Sequence, residues 1–300
     1  SAIQLMQKNS ASLMDGTSSD QIKKSPDKNT ADVLKRSSGT TIQDGKYAIV
    51  RGLNERYNLA LVNGAMLPGS EPDKKVFSFD IFPAALLDNL VIVKTASAEL
   101  PGEFAGGIIQ VNTKSFPGKS FKEFSFSSGL NSITTFRDRI DYKGGKTDWL
   151  GIDDGTRNLP VGMPSSNQMF QLSSEERVEV AKKFTNDWGL QNKTYMPSIA
   201  LQYTGGTSKE IGTNRLGLIY ALTYNQSNQF NTTRRQSWQN AVGANEPSLM
   251  ESDLYDDNHT VNTLAGALAN ISYSIGPNTT IGWKNLYSLT SQDRVLMRYG

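Results

Sequence analysis

The hydrophobic pattern of this chain changes period once, at residues 100–114 (LPGEFAGGIIQVNTK). Upstream, short apolar runs alternate with turn residues. Residues 30–36 (TADVLKR) place Val33 and Leu34 on one face of a short helix, capped by Thr30 and closed by Ser38-Gly39. Thr41-Ile42-Gln43 and residues 47–51 flank Asp44-Gly45, a strong hairpin signal. Residues 58–62 (NLALV) predict another strand, with Asn63-Gly64 as its tight turn. Phe82-Pro83 opens a helical turn through Leu87, and residues 90–95 (LVIVKT) read as a buried strand. In the stretch at 100–114, Pro101 and Gly102 break what precedes and Phe104 is an apolar anchor. Gly106-Gly107 let the backbone turn sharply and pass close to a neighbour, and Ile108, Ile109 and Val111 start a β-branched strand. Residues 1–29 are a polar lead-in, with a helix start at Ser18-Ser19-Asp20 and a stop at Pro26.

Downstream the apolar residues fall at every second position. Residues 121–128 and 198–204 predict strands, the second with Ile199, Leu201 and Tyr203 on one face. Leu216, Leu218, Tyr220, Leu222 and Tyr224 share a face of residues 215–225. Ala267, Ala269, Ile271, Tyr273 and Ile275 do the same at 264–275, and Ile281, Trp283, Tyr287 and Leu289 at 280–289. Short turns are expected at 205–213 and 276–278, and long loops at 131–197 and 227–261. Alternating short and long connections are the outer-membrane barrel pattern, with short turns periplasmic and long loops outside. A capped helix is expected at 173–188 inside the first long loop. About five strands cannot close a barrel wide enough for such an N-terminal domain, and an open edge in lipid costs several kcal/mol per unpaired backbone group. The sequence therefore reads as the N-terminal portion of a longer protein, and Arg298-Tyr299-Gly300 carries no terminating apolar-aromatic strand.

Composition changes this picture little. No run of about 18 apolar residues exists, so a helical membrane span is excluded, whereas strands of about ten residues are not. A formal charge of +2 with scattered Lys and Arg argues against nucleic acid. The absence of cysteine removes disulfide and thiol chemistry. The lone histidine, His259, stands beside Asp256 and Asp257 and reads as a solvated loop residue more readily than as a metal ligand. Gly205-Gly206-Thr207-Ser208-Lys209 lacks the glycine spacing of a phosphate loop and reads as a periplasmic turn. No catalytic constellation is present, so the chain is expected to be neither an enzyme nor a cofactor binder.

Residues 50–57 (VRGLNERY), 61–67 (LVNGAML), 70–75 (SEPDKK), 81–87 (IFPAALL), 91–95 (VIVKT) and the stretch ending at Lys114 occur together in an order that resembles the plug of TonB-dependent outer-membrane receptors. The likeness is nearest to the large receptors of Bacteroidetes-type bacteria. It implies a mixed fold, an α+β plug domain followed by antiparallel transmembrane β-barrel strands. The parts would be a lead-in at 1–29, a plug at 30–118 and the first barrel strands and loops at 119–300.

The resemblance also implies an outer-membrane location and energised uptake of a bulky ligand, with the TonB complex, membrane lipid and a surface lipoprotein as partners. Siderophore, cobalamin, oligosaccharide and peptide all remain open as the ligand. A plugged scaffold or export component, and a soluble β-rich adhesion module, are the alternatives. Arg51 matches the family's plug arginine, which pairs with barrel carboxylates; the second such position is Lys94 here, and lysine cannot fork onto a carboxylate. The loop after Asn63-Gly64 offers Met66, Leu67 and Pro68 as an apolar tip, and Glu71, Asp73 and Lys74 as a charged flank facing the ligand, with packing of Met66 and Leu67 onto the plug core as the equal alternative. Pro101, Gly102, Gly106 and Gly107 would form the hinge between plug and barrel.

Overall fold

The computed structural model describes residues 12–25, 27, 29–67, 69, 76–184, 189–239 and 248–300. The chain forms two compact units. One gathers Ser1–Ser127, Ala200–Tyr224 and Leu264–Thr290; the other gathers Ser128–Ile199, Asn225–Thr263 and Ser291–Gly300.

The first unit begins with a small α+β domain. Its strands are β1 (Met14–Ser18), β4 (Leu59–Val62), β5 (Ala65–Met66), β6 (Leu87–Val93) and β7 (Ile108–Thr113), ordered β1-β6-β7-β4-β5 in one sheet. The β4–β7 pair is parallel and the others are antiparallel. Leu90, Ile92, Ile109 and Val111 belong to the core on one face, and Leu59, Leu61, Val91, Val93 and Ile108 to a second cluster with Met14, Leu100 and Phe104. A sheet covered on both faces explains why LALV and LVIV are continuous apolar runs. The expected hairpin is present as β2 (Thr40–Gln43) and β3 (Tyr47–Val50), with Asp44 and Gly45 left-handed. Asn63 and Gly64 are left-handed as well, at φ 51° and 84°, which a two-residue turn between β4 and β5 requires.

Two expectations change at the N-terminus. Met14–Ser18 is not lead-in: it pairs with β6 along its whole length, and α1 (Ser19–Lys23) follows it with Ile22 in the core. Only one residue of the MDGTS strand is strongly apolar, so its pattern carried no signal. Helix α2 (Thr30–Leu34) is capped by Asn29, whose side chain accepts from the Asp32 N–H at 2.9 Å. Thr30 is buried instead, and both its N–H (2.9 Å) and its hydroxyl (3.2 Å) donate to the Phe82 carbonyl. Pro26 lies outside the described residues.

A second sheet has the order β14-β13-β12-β11-β8, built from β8 (Phe121–Gly129), β11 (Ser198–Ile211), β12 (Asn214–Gln239), β13 (Leu249–Ile275) and β14 (Thr279–Tyr299). Ile219, Ala221, Leu264 and Leu268 join the core of the small domain. Their neighbours Leu222, Ile281, Trp283 and Tyr287 are 56–65% exposed on the other face. The face turned from the domain thus exposes a row of large apolar side chains, as a lipid-facing wall requires. Residues 205–213 are not a turn: β11 runs through Ile211, and the reversal is Gly212-Thr213. The expected loop at 227–261 is largely strand, since β12 and β13 have 26 and 27 residues where about 9–11 suffice to span a bilayer.

The second unit adds a ribbon of β9 (Asp138–Tyr142) with β10 (Leu190–Thr194) and two helices, α3 (Ser166–Gln171) and α4 (Ser174–Ala181). Ser173 and Glu176 form the capping box that starts α4. Only Val180 of α4 is buried, and residues 185–188 lie outside the described part.

Candidate functional site

The small domain is seated on the wall through an apolar patch and a polar node. Ile219, Ala221, Leu264 and Leu268 supply the apolar part, and burying each large side chain stabilises the seat by about 1.5–3 kcal/mol. The node centres on Asn63, whose side-chain oxygen accepts from the Thr113 N–H, the Thr113 hydroxyl and the Lys284 ammonium, each at 3.0 Å. The Thr113 hydroxyl in turn accepts from the Asn270 amide at 2.8 Å. Thr113 and Asn270 are 3% and 1% exposed. A net hydrogen bond is worth about 0.5–1.5 kcal/mol, so apolar burial supplies most of the adhesion. The node fixes register, because any displacement strands buried donors and acceptors.

The chain leaves the small domain at residues 114–120, and this linker is clamped. The Pro117 carbonyl accepts from the Ser208 hydroxyl and the Arg215 guanidinium, both at 3.0 Å, and Arg215 lies 5.3 Å from the Phe116 ring centroid. A Cβ on Gly217 would come within 2.7 Å of the Ser115 carbonyl oxygen, so only glycine lets the linker lie this close.

The structure disperses the residues expected from sequence. Arg51 is exposed, with a left-handed backbone (φ 57°) whose N–H donates to Gly39, and among the described residues its side chain forms no ion pair. Lys94 works inside the domain: its ammonium donates to the Ser38 carbonyl at 2.7 Å and stands 3.9 Å from Asp15. Met66 is 47% exposed and Leu67 packs against the core, and together with Val76 and Phe77 they line an apolar cavity of about 270 Å³. Pro68, Glu71, Asp73 and Lys74 lie outside the described residues. Pro101 and Gly102 are on the surface. Gly106 and Gly107 do not make the exit from the domain. They lead into β7, in the middle of its sheet, where a Gly107 Cβ would meet Val50 at 3.0 Å and the Val93 carbonyl at 3.2 Å. Close packing, not a sharp turn, demands them.

Sequence reasoning missed Thr113, Asn270 and Lys284. They are 157 and 221 positions from their partners, and no local pattern marks a lone polar residue for such a contact.

In the second unit, residues 143–158 form a tightly bonded loop. Arg157 holds Asp148 through two bonds of 2.7 and 2.8 Å and donates to the Tyr142 hydroxyl, which donates to Asp293 at 2.8 Å. The Arg157 bond holds the Asp148 carboxyl below its ordinary range. The Thr156 hydroxyl, with the N–H groups of Lys146 and Thr156, pulls Asp154 down to about 2. Burial pushes the Tyr142 phenol up. Beside the loop, Arg139, Asp141, Trp149 and Lys193 line a cavity of about 230 Å³. His259 is not a solvated loop residue: it lies on β13, meets the Tyr195 hydroxyl at 2.9 Å, and packs 4.9 Å from the Phe230 ring. Among the described residues no group of three or more acidic, histidine or cysteine side chains could hold a metal.

The family described as TonB-dependent Receptor Plug Domain matches residues 7–108. Several solved structures are similar at low identity. The outer membrane transporter YddB from Escherichia coli is 15% identical, over 95% of this chain and 38% of that one, with a TM-score of 0.39. The alcaligin receptor FauA from Bordetella pertussis is 12% identical, over 97% and 49%, at 0.39. The siderophore receptor PirA from Acinetobacter baumannii is 10% identical, over 91% and 49%, at 0.34. The chain thus spans half or less of the length of these proteins. No curated protein matches it significantly.

Proposed function

We propose that this chain is the plug and adjoining wall strands of a TonB-dependent transporter of the bacterial outer membrane, a non-enzymatic protein that takes up a bulky ligand through a plugged β-barrel. One observation carries the reading. A domain matching the plug family is seated on one face of a β-sheet whose opposite face exposes the large apolar side chains Leu222, Ile281, Trp283 and Tyr287. Such a wall is stable only where lipid covers its outer face. In this reading TonB draws on the plug from the periplasmic side, and the polar node at Asn63 and the clamp at Pro117 are contacts that plug movement must break. The motif set from Val50 to Lys114 supports a place among Bacteroidetes-type receptors, with a surface lipoprotein as a partner. Arg51 stays proposed as a plug-holding cation and Met66 and Leu67 as ligand-facing residues, whereas Lys94 is tied within the domain to Ser38 and Asp15.

The test is a comparison of cells with and without functional TonB, each carrying the full-length protein. Loss of individual solutes from the medium is followed, with the protein localised by fractionation. The reading expects an outer-membrane protein and at least one solute depleted only with TonB. Membrane localisation without TonB-dependent depletion would favour the scaffold or export reading, and recovery in the soluble fraction would overturn both.

A further inference from the structure

In the second unit one face of β12, β13 and β14 gathers arginine around a single acid. Asp256, 1% exposed, receives the Arg235 Nε at 2.7 Å and a two-bond contact from Arg298 at 2.6 and 2.9 Å. Two residues along β13, Asn258 accepts both the Nε and Nη2 of Arg294, at 3.0 and 2.6 Å. Asn258 and Asp256 are separated by roughly 7 Å along the strand, so the three guanidiniums form one compact group.

The charges do not balance. Three guanidiniums against one carboxylate leave two positive charges, and among the described residues Arg294 has only a neutral acceptor. The other alternate positions on this face are neutral: Gln292 donates to Asn262 at 2.9 Å, and the Ser237 and Ser252 hydroxyls bond at 2.7 Å. The opposite face is balanced differently. There Arg234 spends its fork on Asp253 at 2.8 and 2.6 Å, and Asp257 is met by Thr232 and Tyr299. The excess is therefore local. Arg235 and Arg298 also keep 62% and 45% of their side chains exposed, so donors remain for an incoming group.

We infer that this face binds a small, soluble polyanion bearing carboxylate or phosphate groups. Charge complementarity selects the occupant: the guanidinium fork matches planar or tetrahedral oxyanions through paired N–H bonds. Ser252, Asn262 and Gln292 add hydrogen-bonding groups around the arginines, so the occupant proposed is a soluble anion. A lipid headgroup that would also use Leu254 and Leu296 on this face is the outcome the test must separate. The inference rests on the transporter reading for its biological meaning, since it names a ligand class, but its test is direct binding and does not depend on uptake.

Calorimetric titration of the detergent-solubilised full-length protein with tripolyphosphate, and with the neutral sugar maltotriose as control, decides it. Tripolyphosphate should bind and maltotriose should not. Raising the salt from about 20 to about 300 mM should weaken binding severalfold, because exposed charges are then screened. Arg294→Gln keeps an amide donor for Asn258 and leaves Asp256 fully paired, so it should fold normally and bind about tenfold more weakly, as for loss of one charged hydrogen bond. Arg234→Gln, on the opposite face, should bind like the wild type. Absence of tripolyphosphate binding overturns the inference, as does equal affinity in Arg294→Gln or an equal loss in Arg234→Gln. So does binding seen only with phosphatidylglycerol vesicles. Failure of TonB-dependent uptake with this binding intact would instead count against the transporter reading alone.

Discussion

The Lys284 ammonium donates to the Asn63 side-chain oxygen at 3.0 Å, joining a wall strand to a plug turn whose backbone is left-handed at two successive residues. Asn63 suits this place twice over. It tolerates the left-handed region better than most residues, and its amide oxygen reaches the end of β7 through Thr113. The same oxygen thus ties together the two parallel strands of the plug and the wall.

The node predicts an order of effects. Thr113→Val keeps the shape but strands the Asn270 amide, 1% exposed, without an acceptor, at a cost of about 1–3 kcal/mol. Lys284→Met removes a donor that water can replace, so about 0.5–1 kcal/mol is expected, in the range of exposed charged contacts. Urea unfolding of the solubilised protein, followed through protease sensitivity of the plug, reads both. A larger loss for Lys284→Met would mean that charge, not buried satisfaction, holds the plug.

Arg51 gives a sharper contrast with Lys94. An exposed arginine without an ion pair among the described residues should tolerate Arg51→Ala within about 0.5 kcal/mol. If Arg51 holds the plug to a carboxylate elsewhere in the barrel, that variant raises the passage of small probes while folding normally. Lys94→Met should instead destabilise the plug itself by about 0.5–1.5 kcal/mol, because it unties the Ser38 carbonyl from the end of β6. Unchanged probe passage in Arg51→Ala would remove Arg51 from the holding contacts.

How much of this was legible follows from where water and lipid lie. The hairpin at Asp44-Gly45, the turn at Asn63-Gly64 and the outward rows of β12, β13 and β14 were legible, because each has a local cause. Left-handed turns need Asn, Asp or Gly, and a face toward lipid needs apolar residues at every second position. The parts of β12 and β13 in the second unit were not legible. Their sequences, such as NTTRRQSWQ, are polar on both faces, and cross-strand pairs such as Arg234–Asp253 take the place of an apolar row. The glycine pair at 106–107 showed that closeness was needed but not to what; the structure supplies Val50 and the Val93 carbonyl.

The loop at 143–158 should loosen in acid. Asp148 is depressed by its Arg157 bond, and Asp154 is pulled to about 2 by Thr156 and two backbone N–H groups. A carboxyl whose folded value lies below its unfolded value stabilises fully above the unfolded one and loses that contribution as the pH falls through the folded one. The ordinary value is 3.8 for both groups, so the loop should be insensitive above about pH 5 and loosen between about pH 4 and 2. Amide exchange across these residues, corrected for intrinsic rates, measures this. Arg157→Gln should be loose already at pH 6. A transition above pH 5, or an unchanged profile in that variant, would refute the assignment.

The linker offers the last test, because two of its contacts respond differently to one added methyl group. A Cβ at Gly217 would come within 2.7 Å of both the Phe116 ring and the Ser115 carbonyl oxygen, whereas a Cβ at Gly118 meets nothing within 4 Å. The ring can swing away, but the carbonyl belongs to the backbone and can move only if the linker moves. Its movement would pull Pro117 from Arg215 and Ser208. Gly217→Ala should therefore destabilise by about 1–3 kcal/mol, as overpacking does. Gly118→Ala should be neutral or slightly stabilising, since it only narrows the unfolded ensemble. Thermal unfolding with limited proteolysis separates the outcomes: Gly217→Ala should be cut faster at residues 114–120 and Gly118→Ala should not. If Gly217→Ala keeps wild-type stability and cleavage, the clamp yields without cost and does not position the linker.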